Sequence, residues 1–506
     1  MREPRSSRIA VVVGLIVFSA ALVWGQGLPT GGVTYLQTIQ IPGWLPTGTT
    51  GNANVDLMGY NPVTRMMYLA DRTNHAIDVI DTHANVVVGK VQMASNTTPN
   101  GVLVAVNLQQ LVVTDGLQSA YVWDLRAPQA QPDVYTFPAT MGTVIDGIDY
   151  DPINQTVYVV TDNPPEYLIG INLAYKTVTA QIKLPVSADL IKWNSIDGKI
   201  YISAEDADGS DANAAAGIYA YDPASGPNGP VMQVSKVGPP CPGHGINIDP
   251  ISNVAVMGCF GGTGDTGDVA VNLSSGAVLK TFTDVGGTDA VLFNPNLRRF
   301  YAAAGLNAAA TSGCPKPAGR LSAFTPILGI MDATGAGGAV TLDGVVCSGF
   351  GHIAGIDPIT NFIYVPTSQY PTDPNSATTG GNGVLVFKDS TPPAQGPITA
   401  AQTVQAALKG VGTSAATGTV QLTVVGRRMH ATAYPTTLPS GSVAAWLTVP
   451  TTVTDEWLAC AVNAATLTAF CSEDLLGDPL IGGTVTLSAD SGQGGVAVAS
   501  GTVTSH

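Results

Sequence analysis

Aspartate and histidine recur at one register of this chain. Counting back five residues from Asn61, Asp151, Asn194, Asp249, Asn294 and Asp357 gives Asp56, Asp146, Asp189, His244, Asp289 and His352. A shortened turn at Asn107-Leu108 makes Asn100 the seventh member. Carboxylates gathered at one place repel each other unless a proton, water or a cation relieves them. Aspartate mixed with histidine suits a divalent transition metal, whereas carboxylates alone suit calcium. His244, His352 and Asp289 are therefore the candidate metal ligands, and all seven residues are candidate ligand-binding residues. A structural reading stands beside this one, in which the same residues cap strand starts and bond neighbouring backbone. The acidic run Glu205 to Asp211 is a weaker calcium candidate, because it lacks the spacing of a calcium loop. His75, His83 and His430 have no carboxylate or cysteine partner in their patterns and read as single histidines. No nucleophile elbow, phosphate loop or dinucleotide fingerprint stands in a strand-to-helix setting.

These residues must be positioned by the elements around them. Turns of Asn/Asp-Pro type recur at 61–62, 151–152, 249–250, 294–295 and 357–358. Asp or Asn at the first turn position and Pro at the second fit a type I turn. Asn194-Ser195 and Asn107-Leu108 fill the remaining places and make seven units. An apolar strand follows each turn, as at Met67 to Ala70, Val157 to Val160, Ile200 to Ser203 and Ile363 to Val365. A third strand comes next, as at Ile77 to Asp81 and Tyr121 to Asp124, and then a fourth, as at Val178 to Ile182. Four short strands per unit, at a period in the forties, predict the blades of an all-β propeller. In such a fold the first strand of each blade lines the central channel, so the seven register residues form a ring at one mouth. The last unit lacks a fourth strand, and Tyr35 to Ile41 is one strand too many at the start. The N-terminal strand is thus expected to complete blade seven and remove the open sheet edges.

The segment Tyr60-Asn61-Pro62-Val63-Thr64-Arg65-Met66-Met67-Tyr68-Leu69-Ala70-Asp71, continued by Ala76 to Asp81 and Val86 to Gly89, resembles the YVTN-family β-propeller repeat. Asp151 to Ile182 and Asp357 to Phe387 fit the pattern less fully. The resemblance covers residues 34–389 and implies a seven-bladed propeller. It is weak for function, since propellers of this kind serve as surface proteins, binding modules and occasionally enzymes.

Arg2, Arg5 and Arg8 precede an apolar run from Ile9 to Trp24, the order of a secretory signal, with cleavage expected after Gly25. Retention as an N-terminal anchor is the other reading. Loss of residues 1–25 takes the formal charge from −15 to −17. A mature chain this acidic excludes nucleic acid and anionic lipid as natural partners. No later apolar run is long enough for a transmembrane span. Six cysteines in an exported chain read as disulfides. Cys241–Cys259, Cys314–Cys347 and Cys460–Cys471 are the expected pairs, the first two at the channel-mouth face and the third across a hairpin. Location outside the cytoplasm follows: secreted, periplasmic or at the cell surface.

Residues 390–410 read as a Pro-rich linker followed by a helix-compatible run from Ala400 to Lys409. Period-two alternation returns after Thr417 and predicts a small β-sandwich-like domain over 411–506. The expected function is non-enzymatic: an exported propeller that binds a small ligand or a protein of the cell envelope. A metal-dependent hydrolase or lyase, with its site at the channel mouth and a divalent ion as cofactor, is the alternative.

Overall fold

The computed structural model describes residues 30–44, most of 54–391 and the strands of 402–505. Residues 1–25, read from the sequence as a secretory signal, lie outside the described residues. Among the described residues, the part before 391 contains seven four-stranded antiparallel sheets, at 55–92, 99–136, 144–183, 188–236, 243–282, 290–347 and 355–389 with Val33–Ile39. Their first strands touch one another in chain order, and the first strand of blade seven touches that of blade one. The sheets therefore stand around an axis as a β-propeller. No helix among the described residues is long and apolar enough to cross a membrane.

Local sequence explains the blade. Second strands such as Thr156–Asp162 and Ile200–Ala204 are buried along almost their whole length because both faces are covered by neighbouring blades. Fourth strands such as Val86–Gln92 form the outer rim and are largely exposed. In blades three and seven the first hairpin is closed by a side-chain-capped turn. Asp151 accepts from Ile153 N at 2.9 Å and Asn154 N at 3.1 Å, and Asp357 accepts from Ile359 N at 2.9 Å. A left-handed residue then reverses the chain in every blade: Arg65, Gln109, Gln155, Gly198, Asn253, Arg298 and Asn361.

The ring closes as expected. Val33–Ile39 pairs antiparallel with Gly380–Asp389, with Tyr35 opposite Phe387 and Ile39 opposite Val384. Blade seven is thus completed from the N-terminal end of the chain. Side chains from both ends of the ring share one core, in which Ile39, Val55, Met67, Tyr364 and Val384 pack together. Polar pins on the turn face join neighbouring blades. The Asp357 carboxylate receives Tyr60 Oη at 2.8 Å, Thr82 Oγ1 at 2.8 Å and Arg65 Nη2 at 3.2 Å, tying blade seven to blade one. Asp389 receives Tyr301 Oη at 2.7 Å and Arg299 Nη1 at 2.9 Å, tying blade seven to blade six.

Cys241–Cys259 and Cys314–Cys347 are bonded, with Cα separations of 4.7 and 5.5 Å. Cys460 is disulfide-bonded as well. The side chain of Cys471, its expected partner, lies outside the described residues. The ladder between their strands ends at the Ala461–Phe470 pair, one residue from each of them.

Residues 402–505 form a further antiparallel sheet. The run expected to be helix-compatible is a strand instead, Gln402–Gly410. It pairs with Thr417–Val425 on one side and with Val496–Thr502 and Thr504–Ser505 on the other. Those pairings close eight strands into one circuit. Burial of its backbone polar groups in a closed ladder outweighs the helix propensity of Ala406, Ala407 and Leu408.

A repeated defect in the first strands shapes the channel. In blade one Val55 pairs Asp71 and Met58 pairs Leu69, so Asp56 and Leu57 oppose the single residue Ala70. The same bulge recurs at Asn100-Gly101, Asp146-Gly147, Asp189-Leu190 and His244-Gly245. A bulge adds one residue, bends the strand and re-aims its side chain. In three of these blades the bulge places glycine against the backbone of the next blade. A Cβ on Gly101 would stand 2.7 Å from Asp146 O, one on Gly147 2.2 Å from Asp189 O, and one on Gly245 2.6 Å from Asp289 O. Gly147→Ala should therefore destabilise the propeller by about 1–3 kcal/mol in urea unfolding, through overpacking at the channel. Gly89→Ala, where nothing stands within 4 Å, is the control and should change stability by less than about 0.5 kcal/mol. Equal stability of the two variants would contradict the close approach.

Candidate functional site at the channel mouth

The bulges bring the predicted register residues to one end of the channel. Asp56, Asn100, Asp146, Asp189 and His244 each occupy the first bulge position of their strand. Asp289 and His352 sit just before the paired part of blades six and seven, where His352 O accepts from Ala290 N at 3.0 Å. Hydroxyls opposite two of the bulges satisfy backbone groups that the bulge frees. Thr114 Oγ1 accepts from Gly101 N at 2.7 Å, and Ser203 Oγ accepts from Leu190 N at 3.2 Å while donating to His244 O.

Side chains in the mouth fall into two groups. Over blades one and two, Arg72 forms an ion pair with Asp56 and donates from Nε to Asn100 Oδ1 at 3.1 Å. Over blades four to six, His244 is the centre. Its Nδ1 lies 2.9 Å from Asp189 Oδ2 and 3.5 Å from Asp289 Oδ1, and its Nε2 lies 2.7 Å from Glu205 Oε1. Phe260 packs on the imidazole, with centroids 4.6 Å apart. His352 Nε2 is 3.9 Å from Asp289 Oδ2. Among the described residues, the three groups whose ligand atoms fall within 4.8 Å of one another are Asp189, His244 and Asp289, from consecutive blades. His352, expected among the metal ligands, is not one of these three.

Electrostatics follow from burial and from an excess of negative charge. Burial, then Asp189, raises Asp146 well above the usual carboxylate range. Burial raises Asp189 to about 6, although His244 opposes it. Burial also works against ionisation of Asp289, but His244, His352 and Arg72 together hold it below the ordinary range. Burial alone would depress His244; the three carboxylates outweigh it and hold the imidazolium well above the usual histidine range. Burial dominates at His352 and keeps that imidazole lowered. Beside the mouth Glu166 is only 4 % exposed. Its carboxylate accepts from Ser187 Oγ at 2.8 Å and Ala188 N at 2.5 Å.

Three charged residues of the mouth escape the register argument: Arg72, Glu205 and Glu166. The first two carry a signal in the numbering. Arg72 stands 16 residues after Asp56. The same step leads from Asp146 to Asp162 and from Asp189 to Glu205. It also leads from His244 to Phe260. One first-strand register thus implies a second one, at the end of the adjacent strand. Residues 206–211 of the acidic loop lie outside the described residues. The opposite mouth differs in character. There a cavity of about 320 Å³ is lined by Tyr60, Tyr150, Trp193, Phe293 and turn prolines.

No protein-family profile and no curated protein sequence matches the chain. Solved structures do resemble it. A chain of the mitotic checkpoint complex is 11 % identical, with a TM-score of 0.48, over 77 % of this chain and 97 % of that one. Hydrazine synthase of Kuenenia stuttgartiensis is 15 % identical, with a TM-score of 0.50, over 69 % of this chain and 99 % of that one. At such identity the latter likeness concerns the fold alone, and it agrees with the propeller seen in the sheet order.

Glu166 supplies a test of the buried negative charge. Burial first, then Asp162 and Glu205, push its carboxyl up to about 8. A carboxyl raised on folding lends stability below its unfolded value and withdraws it as pH rises through the folded value. Melting temperature should therefore fall between about pH 4.5 and about pH 8, and Glu166→Gln should flatten that fall. A wild-type curve no steeper than that of Glu166→Gln would show that Glu166 is not held protonated.

Proposed function

We propose that the chain is an exported binding propeller whose acid-lined channel mouth receives a cationic group, carried by a small ligand or by a partner in the cell envelope. One observation carries the reading. Asp56, Asp146, Asp189, Glu205 and Asp289 crowd one mouth against two cationic side chains, Arg72 and His244. A low-dielectric site with surplus carboxylates takes up protons or a cation. Negative potential focused at such a mouth also speeds the approach of positive ligands. The bonded pairs Cys241–Cys259 and Cys314–Cys347 support an oxidising compartment. They agree with the secretory pattern of residues 1–25. The propeller scaffold supports a binding role, because its rigid ring holds side chains from several blades around one point.

A fluorescent oligo-arginine peptide is a suitable probe, followed by anisotropy. Binding should weaken at least tenfold in the double variant Asp162→Asn/Glu205→Gln and should fall as salt rises. Wild-type protein that ignores the peptide, or a variant that binds it equally well, would contradict the reading.

A further inference from the structure

Nδ1 of His244 faces two carboxylates at once, Asp189 Oδ2 at 2.9 Å and Asp289 Oδ1 at 3.5 Å. A ring nitrogen carries at most one proton, and one proton is donated well to one acceptor. The geometry shows the shortfall. Asp189 is 8 % exposed, and its Oδ2 is buried without an aligned hydrogen-bond donor despite the 2.9 Å contact. A buried carboxylate oxygen left in this way is costly. A metal ion in place of the Nδ1 proton would be shared by both carboxylates, and the three ligand atoms already lie within 4.8 Å of one another.

The far side of the imidazole is arranged for the same role. Nε2 lies 2.7 Å from Glu205 Oε1. A metal-bound histidine characteristically gives its other N–H to a carboxylate, which fixes the tautomer and strengthens the ligand nitrogen. His352, 3.9 Å from Asp289 Oδ2, stands behind the other flank of Asp289. Nitrogen in the donor set argues against calcium, which takes oxygen ligands, and for an ion that accepts imidazole with carboxylate.

Resting on the reading of the mouth as a cation receptor, we propose that Asp189, His244 and Asp289 bind one divalent transition-metal ion of zinc type. His244 binds through Nδ1, and Glu205 orients it from Nε2. Three consecutive blades supply one ligand each, so the ion also links blades four, five and six.

The test uses full-length protein stripped of metal and titrated with Zn²⁺ by calorimetry, with Ca²⁺ in a parallel arm. One Zn²⁺ per chain is expected, with Ca²⁺ bound more weakly or not at all. Glu205→Gln should keep the stoichiometry and weaken Zn²⁺ about 10–100-fold. Substitution of a ligand itself can lower stability, so a Zn²⁺-soaked crystal of the unaltered protein gives a second readout. An anomalous peak is expected about 2.0–2.1 Å from His244 Nδ1. Failure of one-to-one uptake, preference for Ca²⁺, or a peak elsewhere overturns the metal site. Oligo-arginine binding that persists in that case leaves the receptor reading standing, whereas loss of both removes it.

Discussion

The antiparallel pairing of Val33–Ile39 with Gly380–Asp389 is the constraint on which the rest of the structure depends. Two-ended closure leaves the ring of blades without a gap, so each first strand is flanked by two others. Only then do seven equivalent positions, far apart in sequence, meet at one mouth. The same closure covers the third strand of blade seven, which would otherwise stand as an open edge able to pair with another chain. The pins at Asp357 and Asp389 tie the closing blade to its neighbours on both sides, blade one and blade six.

Closure has an electrostatic consequence. Five carboxylates converge on one partly buried mouth where Arg72 and His244 are the counter-charges. The fold tolerates this because the register is fixed by backbone packing rather than by the acids themselves. Glycines at 101, 147 and 245 let the carbonyl of the next mouth residue come close, and Thr114 and Ser203 stitch the bulges. Residual negative charge is then available for a ligand. Aromatic lining at the opposite mouth gives the channel two chemically distinct ends.

Much of this was legible in the residues, for physical reasons that differ from place to place. Blade order was readable because each Asn/Asp-Pro turn punctuates a strand with few alternatives, and the turn caps at Asp151 and Asp357 bear this out. The strand at Val33–Ile39 follows by elimination, since one unit lacks a strand and another has one over. Asp189, His244 and Asp289 could be found because a repeat copies position as well as fold. Arg72 and Glu205 could not be found in the same way, since they belong to a neighbouring strand whose register becomes visible only when the ladder is known. Gln402–Gly410 misleads for another reason. Its alanines and leucine suit a helix locally, and only distant pairing with Thr417–Val425 makes it a strand.

The central claim is that the mouth carries more negative charge than its own cations neutralise, with His244 held between carboxylates. Nuclear magnetic resonance of ¹⁵N-labelled histidine in metal-free protein measures this most directly. The account predicts a His244 imidazolium that stays doubly protonated above the ordinary histidine range of about 6.5, while His352 titrates below it. A His244 that loses its proton at the ordinary value, or a His352 that remains charged in its place, would contradict the account.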